Sequence, residues 1–203
     1  MKKLILYIHG KGGNAAENEH YGVLFPDCEV IGLDHQAVTP WGAGREIHAA
    51  VEKLKDQYED FTLIANSIGA YFSMNAGIDS IISRAFFISP VVDMERLICD
   101  RMLCTGVTEE ELKMKGVIGT ESGEELSWEY LCYVREHPIQ WNVPTEILYG
   151  RNDHLTSLET ITAFAKEHGA RLTVMEHGGH WFHTEEEMQF LDDWIRKSQA
   201  NNR

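Results

Sequence analysis

The chain has 203 residues, 43% of them apolar and 25% charged, a balance that excludes disorder and fits one domain with room for an insertion. Its 32 acidic residues outnumber 18 lysines and arginines, and the formal charge of −14 repels phosphate backbones, which argues against nucleic-acid binding.

In chain order, the first apolar run, residues 4–9, stops at His9-Gly10-Lys11, too soon for a secretory leader. It reads instead as a buried strand, and so do 29–33, 61–65, 85–89, 145–149 and 171–176. Most of these are nearly continuous in Val, Ile, Leu and Phe, the pattern of strands covered on both faces. Helical periodicity falls between them. Residues 45–58 put Ile47, Val51 and Leu54 on one stripe, 68–76 follow the third strand, and 158–168 stop at Gly169. Thr184 and Glu187 form a capping box that opens 185–197, whose inner face is Met188, Leu191, Trp194 and Ile195. This alternation predicts a mainly parallel α/β sheet of about six strands with helices on both faces.

Residues 92–141 break the rhythm. No strand stands out there, and a connection of this length needs structure of its own. The expectation is a mostly helical insertion over one end of the sheet, a cap within a single domain spanning 1–203. Leu126, Trp128, Tyr130, Leu131 and Tyr133 would pack it down or line a pocket. The polar tail from Ser198 is expected to fray. Cys28, Cys99, Cys104 and Cys132 contain no CxxC pair, which suits free thiols in a reducing compartment. No apolar run approaches the roughly 20 residues of a membrane span, so a soluble cytoplasmic protein is expected.

Chemistry concentrates where strands end. The third strand runs into Ala65-Asn66-Ser67-Ile68-Gly69 and then into a helix. A serine on a sharp strand-to-helix turn needs small residues two positions away on either side, because larger ones collide there. The same turn brings the Ile68 N–H to a helix N-terminus, where it can hold negative charge on an oxygen. The first strand ends in His9-Gly10-Lys11-Gly12-Gly13-Asn14. Its glycines leave backbone N–H groups uncovered, and Lys11 or Gly12 would supply a second such donor. Neither nucleotide-binding glycine pattern is present. His9 itself reads as a hydrogen-bonded structural residue. Further on, Asp153 follows the fifth strand, and His177, His180 and His183 follow the sixth. A serine, an aspartate and a histidine past the carboxyl ends of parallel strands share one sheet edge, where open α/β sheets bind ligands. Serine needs an imidazole to take its proton, and that imidazole needs a carboxylate to hold its tautomer.

The set His9-Gly10, Ala65 to Gly69, Asp153 after Gly150-Arg151-Asn152, and Gly179-His180 resembles the α/β-hydrolase superfamily over most of the chain. The resemblance implies a Ser67–His180–Asp153 triad, an oxyanion hole from the Lys11 and Ile68 amides, and acyl transfer to water. The substrate would be a small carboxylic ester or thioester, with no cofactor, no metal and no membrane partner. His180 fits the family's Gly-His pattern. His177 follows its strand too closely, and His183 lies where the last helix starts. Two departures stand out: Ala65 replaces the usual glycine, and Asn66 the common histidine before the nucleophile. The antiparallel N-terminal strands of larger members are missing. Two alternatives belong to other classes: a non-catalytic ligand-binding module on this scaffold, and a metal-dependent hydrolase using His177, His180 and His183.

Overall fold

Six apolar segments become the strands of one all-parallel sheet in the computed structural model, which describes residues 2–121 and 123–200. In chain order the elements are β1 (Lys3–Ile8), a 3-10 turn (Ala15–Asn18), α1 (Glu19–Gly22), β2 (Glu29–Leu33), α2 (Pro40–Leu54), β3 (Asp60–Asn66), α3 (Ile68–Met74) and β4 (Arg84–Ile88). Then come α4 (Met94–Thr105), α5 (Glu109–Lys115), β5 (Val117–Gly119), β6 (Glu125–Ser127) and α6 (Trp128–Glu136). The chain closes with β7 (Thr145–Gly150), α7 (Leu158–Glu167), β8 (Arg171–Met175) and α8 (Glu185–Ala200).

The sheet order is β2-β1-β3-β4-β7-β8. The inner strands β1, β3, β4 and β7 are mostly buried, and β7 is buried at all six positions. The edge strands β2 and β8 keep partial exposure. Alternate residues form the two faces. One face carries Ile5, Tyr7, Ile64, Phe86, Ile88 and Leu148, packed with Tyr21 of α1 and with Leu191, Trp194 and Ile195 of α8. The right-handed rule for parallel crossovers puts α2, α3 and α7 on the other face. The chain leaves β1 toward β2 and leaves β3 toward β4, in opposite directions across the sheet. The carboxyl ends of β1 and β3 therefore form the switch point of the sheet, the place where open α/β sheets bind ligands.

Several boundaries differ from expectation for identifiable reasons. Helix α2 starts at Pro40 rather than 45, because Thr39 caps it through Gly42 N–H and proline fits the first helical position. It also ends at Leu54, short of 58. The short 3-10 turn and α1 escaped notice, being below the length at which a helical stripe shows. Helix α8 continues to Ala200, so the expected fraying from Ser198 does not begin there; residues 201–203 lie outside the described ones.

The insertion, residues 93–139, is a compact unit of its own. Its helices α4, α5 and α6 are capped by Asp93, Thr108 and Ser127. Arg135 ties them together, with its Nε 2.7 Å from Glu95 and its two terminal nitrogens 2.7 and 2.9 Å from Glu109. The expectation of a strand-free segment is corrected here, because β5 and β6 pair as a short antiparallel hairpin. Three-residue strands are too short to show a period in sequence. Leu126 and Leu131 are buried.

Candidate active site

Ser67 follows β3 and caps α3 with φ 50° and ψ −120°, a conformation that costs a non-glycine residue energy and persists only when its surroundings dictate it. Three backbone bonds hold it. Its N–H donates to the Ile88 carbonyl at 3.0 Å, and its carbonyl accepts from Ala70 and Val91 at 3.2 and 3.1 Å. The need for small neighbours is steric and arises where the ends of β1 and β3 meet. A Cβ on Gly69 would lie 2.5 Å from the His9 carbonyl oxygen, and one on Gly10 would lie 3.1 Å from the Ser67 Cβ. The methyl of Ala65 is fully buried, so this departure from glycine is accommodated. Ile68 occupies the first position of α3, where an N–H has no acceptor within the helix. Lys11 lies in the exposed turn closed by Gly13 N–H donating to Gly10 O at 3.1 Å.

The loops after β7 and β8 meet through backbone. A Cβ on Gly150 would fall 2.3 Å from the Gly179 carbonyl oxygen, so a side chain there would push the two loops apart. Asn152 N–H donates to Gly178 O at 2.9 Å and Arg151 N–H to Met175 O at 2.9 Å. The Asp153 carboxylate is fixed at both oxygens. Oδ1 accepts from Leu155 N–H at 2.7 Å and Thr156 N–H at 3.2 Å, and Oδ2 lies 2.7 Å from His180 Nδ1. Both side chains are almost wholly buried. A carboxylate only accepts, so Nδ1 carries the imidazole proton and Nε2 is left as an acceptor. Nε2 stands 2.8 Å from Ser67 Oγ. The serine hydroxyl thus donates to His180, which donates to Asp153.

Glu187 anchors the segment that carries His180. Its buried carboxylate accepts from Gly179 N–H at 2.9 Å, His183 N–H at 3.2 Å, Thr184 N–H at 3.1 Å and Thr184 Oγ1 at 2.9 Å. Burial by itself would raise the Glu187 carboxyl, but these donors outweigh it and hold it below the ordinary glutamate value. The capping box was legible in sequence. That the same carboxylate also holds Gly179, next to His180, was not, since this bond depends on how the loop folds back.

The other histidines separate cleanly. His183 meets Glu187 through its backbone and sets its ring edge-on to Trp181 at 5.6 Å. His177 offers its carbonyl to Asn152 Nδ2 at 3.4 Å. His9 is buried, with Nδ1 2.8 Å from Gly10 O and its ring stacked on His35 at 4.1 Å. With both nitrogens of His180 engaged by Ser67 and Asp153, that ring is not available as a ligand to a metal shared with His177 and His183. Among the described residues, no three His, Cys, Asp or Glu side chains are grouped to hold a metal ion. Phe182 joins the core, whereas Trp181 is 54% exposed beside His180. Ser89, read above as the last residue of the fourth strand, lies just outside it. It follows β4 with φ 42° and is 1% exposed.

No protein-family model matches the chain, and no curated protein matches it. Solved structures do. Est1E from Butyrivibrio proteoclasticus superposes with a TM-score of 0.78 at 17% identity, over 98% of this chain and 88% of that one. Mouse alpha/beta hydrolase domain-containing protein 10 gives 0.76 at 14% identity, over 98% and 90%. The Pyrococcus furiosus esterase Pf2001 gives 0.62 at 17% identity, over 97% and 82%. The chain has the fold these proteins share. Among the described residues, no helix is long and apolar enough to cross a membrane.

Proposed function

We propose that this chain, built on the α/β-hydrolase fold, is a serine hydrolase that cleaves a small carboxylic ester or thioester through an acyl-enzyme on Ser67. One observation carries the proposal: an unbroken hydrogen-bonded path from Ser67 Oγ through His180 to a buried Asp153, at 2.8 and 2.7 Å. Similarity in fold to esterases agrees with it and does not choose a substrate.

In the proposed reaction Ser67 Oγ attacks the carbonyl carbon as its proton passes to His180 Nε2. The carbonyl π pair moves onto oxygen, and the Lys11 and Ile68 amides hold the charge. Asp153 stabilises the imidazolium at Nδ1 without taking the proton. His180 then protonates the leaving oxygen or sulfur, its bond to carbon breaks, and the acyl group stays on Ser67. Water, deprotonated by the same imidazole, repeats the sequence and releases the acid. The scheme calls on no cofactor.

The test is a fluorophosphonate probe followed by a panel of p-nitrophenyl esters and acyl thioesters. Stoichiometric labelling and turnover in the wild type, both lost in Ser67→Ala, are expected. A folded wild-type protein that neither labels nor turns over any acyl donor would instead make it a binding module. Ester and thioester kcat/KM values rank the two leaving groups directly.

A further inference from the structure

Between the two proposed oxyanion donors lies a polar chain that the reaction itself does not use. Asn66, the residue before Ser67, donates its Nδ2–H to the Tyr7 hydroxyl at 3.0 Å. The Tyr7 hydroxyl in turn bonds Glu17 Oε2. The other carboxylate oxygen, Glu17 Oε1, accepts from the Asn14 N–H at 3.2 Å, and Asn14 Oδ1 accepts from Ala16 N–H at 2.9 Å. The chain therefore begins at the turn carrying Ser67 and Ile68. It ends at the loop carrying Lys11.

The directions of these bonds follow from chemistry. Glu17 as a carboxylate only accepts, so Tyr7 donates to it and its oxygen is left to accept from Asn66. Burial, the neighbouring Tyr21 and the bond to Glu17 push the Tyr7 phenol far above its ordinary range, so it stays a donor. Bonds to a charged acceptor are the stronger kind, and each link polarises the next. Tyr7 is fully buried on a central strand, paired in register with Ile64 two residues before Asn66. Its hydroxyl is a rigid post. Glu17 also shapes the loop sterically, since a Cβ on Gly13 would lie 2.7 Å from its Oε1.

We propose that Tyr7 and Glu17 are positioning residues that set the Lys11 loop against the Ser67 turn and so fix the spacing of the oxyanion hole. The need is physical. Past the end of β1 the chain leaves the sheet ladder, whereas a productive oxyanion site tolerates only about 0.5 Å of displacement. Misplacing one donor approaches the loss of that donor, which costs about 100- to 1000-fold in kcat. Neither residue touches substrate. This role rests on the acyl transfer proposed above.

The experiment compares wild type, Ser67→Ala, Tyr7→Phe, Glu17→Ala and Glu17→Gln on the best p-nitrophenyl ester. It also measures inhibition by a trifluoromethyl ketone, which forms a hemiketal oxyanion on Ser67. In Tyr7→Phe and Glu17→Ala, kcat is expected to fall about 10- to 100-fold with KM within about threefold. Ketone affinity should fall in step. Glu17→Gln should lie between Glu17→Ala and wild type, because an amide can still accept one of the two bonds. Glu17 is on the surface, so its variants decide the matter even where Tyr7→Phe fails to fold. Wild-type turnover that persists in Ser67→Ala, or is absent from the start, overturns the acyl-transfer scheme and this role with it. Ser67-dependent turnover with Glu17→Ala within threefold of wild type in both kcat and ketone affinity overturns the positioning role alone.

Discussion

His180 has both ring nitrogens committed, to a hydroxyl on one side and a buried carboxylate on the other, and no neighbouring histidine among the described residues shares that pattern. Replacing His180 by alanine should lower kcat about a thousandfold or more, and Asp153→Asn similarly while leaving the melting temperature within a few degrees. His183→Ala should keep activity within about tenfold, since its ring reaches Trp181 rather than Ser67. Steady-state kinetics with thermal melts on the three variants checks this; His183→Ala outstripping His180→Ala would reassign the base. The family resemblance already favoured His180, through Gly179-His180, and the capping box at Thr184 set His183 apart at the helix entry. Ser89 and the Tyr7 hydroxyl were invisible at that level, because a strained φ and a bond between residues 59 positions apart leave no local trace.

Elements owe their placement here to a few backbone approaches and one anchoring carboxylate. Gly150→Ala puts a methyl against the Gly178–Gly179 backbone, and such overpacking costs about 1–3 kcal/mol. Because the displaced loop carries His180, kcat should fall at least about tenfold. Denaturant melts and initial rates measure both effects, and unchanged rates would show that the two loops move together. Glu187 predicts a pH signature. Its carboxyl lies lower in the folded state than its ordinary value of about 4.3. It therefore stabilises the fold fully above that value, and the stabilisation disappears as pH falls through the lower folded one. The gap in melting temperature between wild type and Glu187→Gln should be widest above about pH 5 and narrow progressively as the pH falls below the ordinary glutamate value. A gap that grows on acidification would contradict the linkage.

The whole molecule carries a formal charge of −14, and its long-range field acts on stability and on substrate arrival alike. Raising salt from about 0.01 to 0.1 M shortens the Debye length from about 30 to about 10 Å. The melting temperature should rise by a few degrees over that range. The kcat/KM for an acyl donor with an anionic leaving group should rise several-fold, while that for a neutral ester stays level. Calorimetry and stopped-flow rates at both salts test this. A flat response for the anionic donor would mean that the field at the Ser67 face is not negative.

Residue order alone determined the parallel sheet and the side chains that gather past the carboxyl ends of its strands. Buried strands and amphipathic helices are periodic, and the small residues around Ser67 form a pattern five positions long, although what they make room for is the end of β1. Those signals are local, and so they survive in one dimension. Only the folded chain decided which imidazole meets the serine, that Glu187 serves both a helix cap and the His180 loop, and that Tyr7 links Asn66 to Glu17. Each of these joins segments brought together by strand order and loop closure. The pairing of residues 117–119 with 125–127 falls in the same class, because three-residue strands are specified by their pairing rather than by their own pattern.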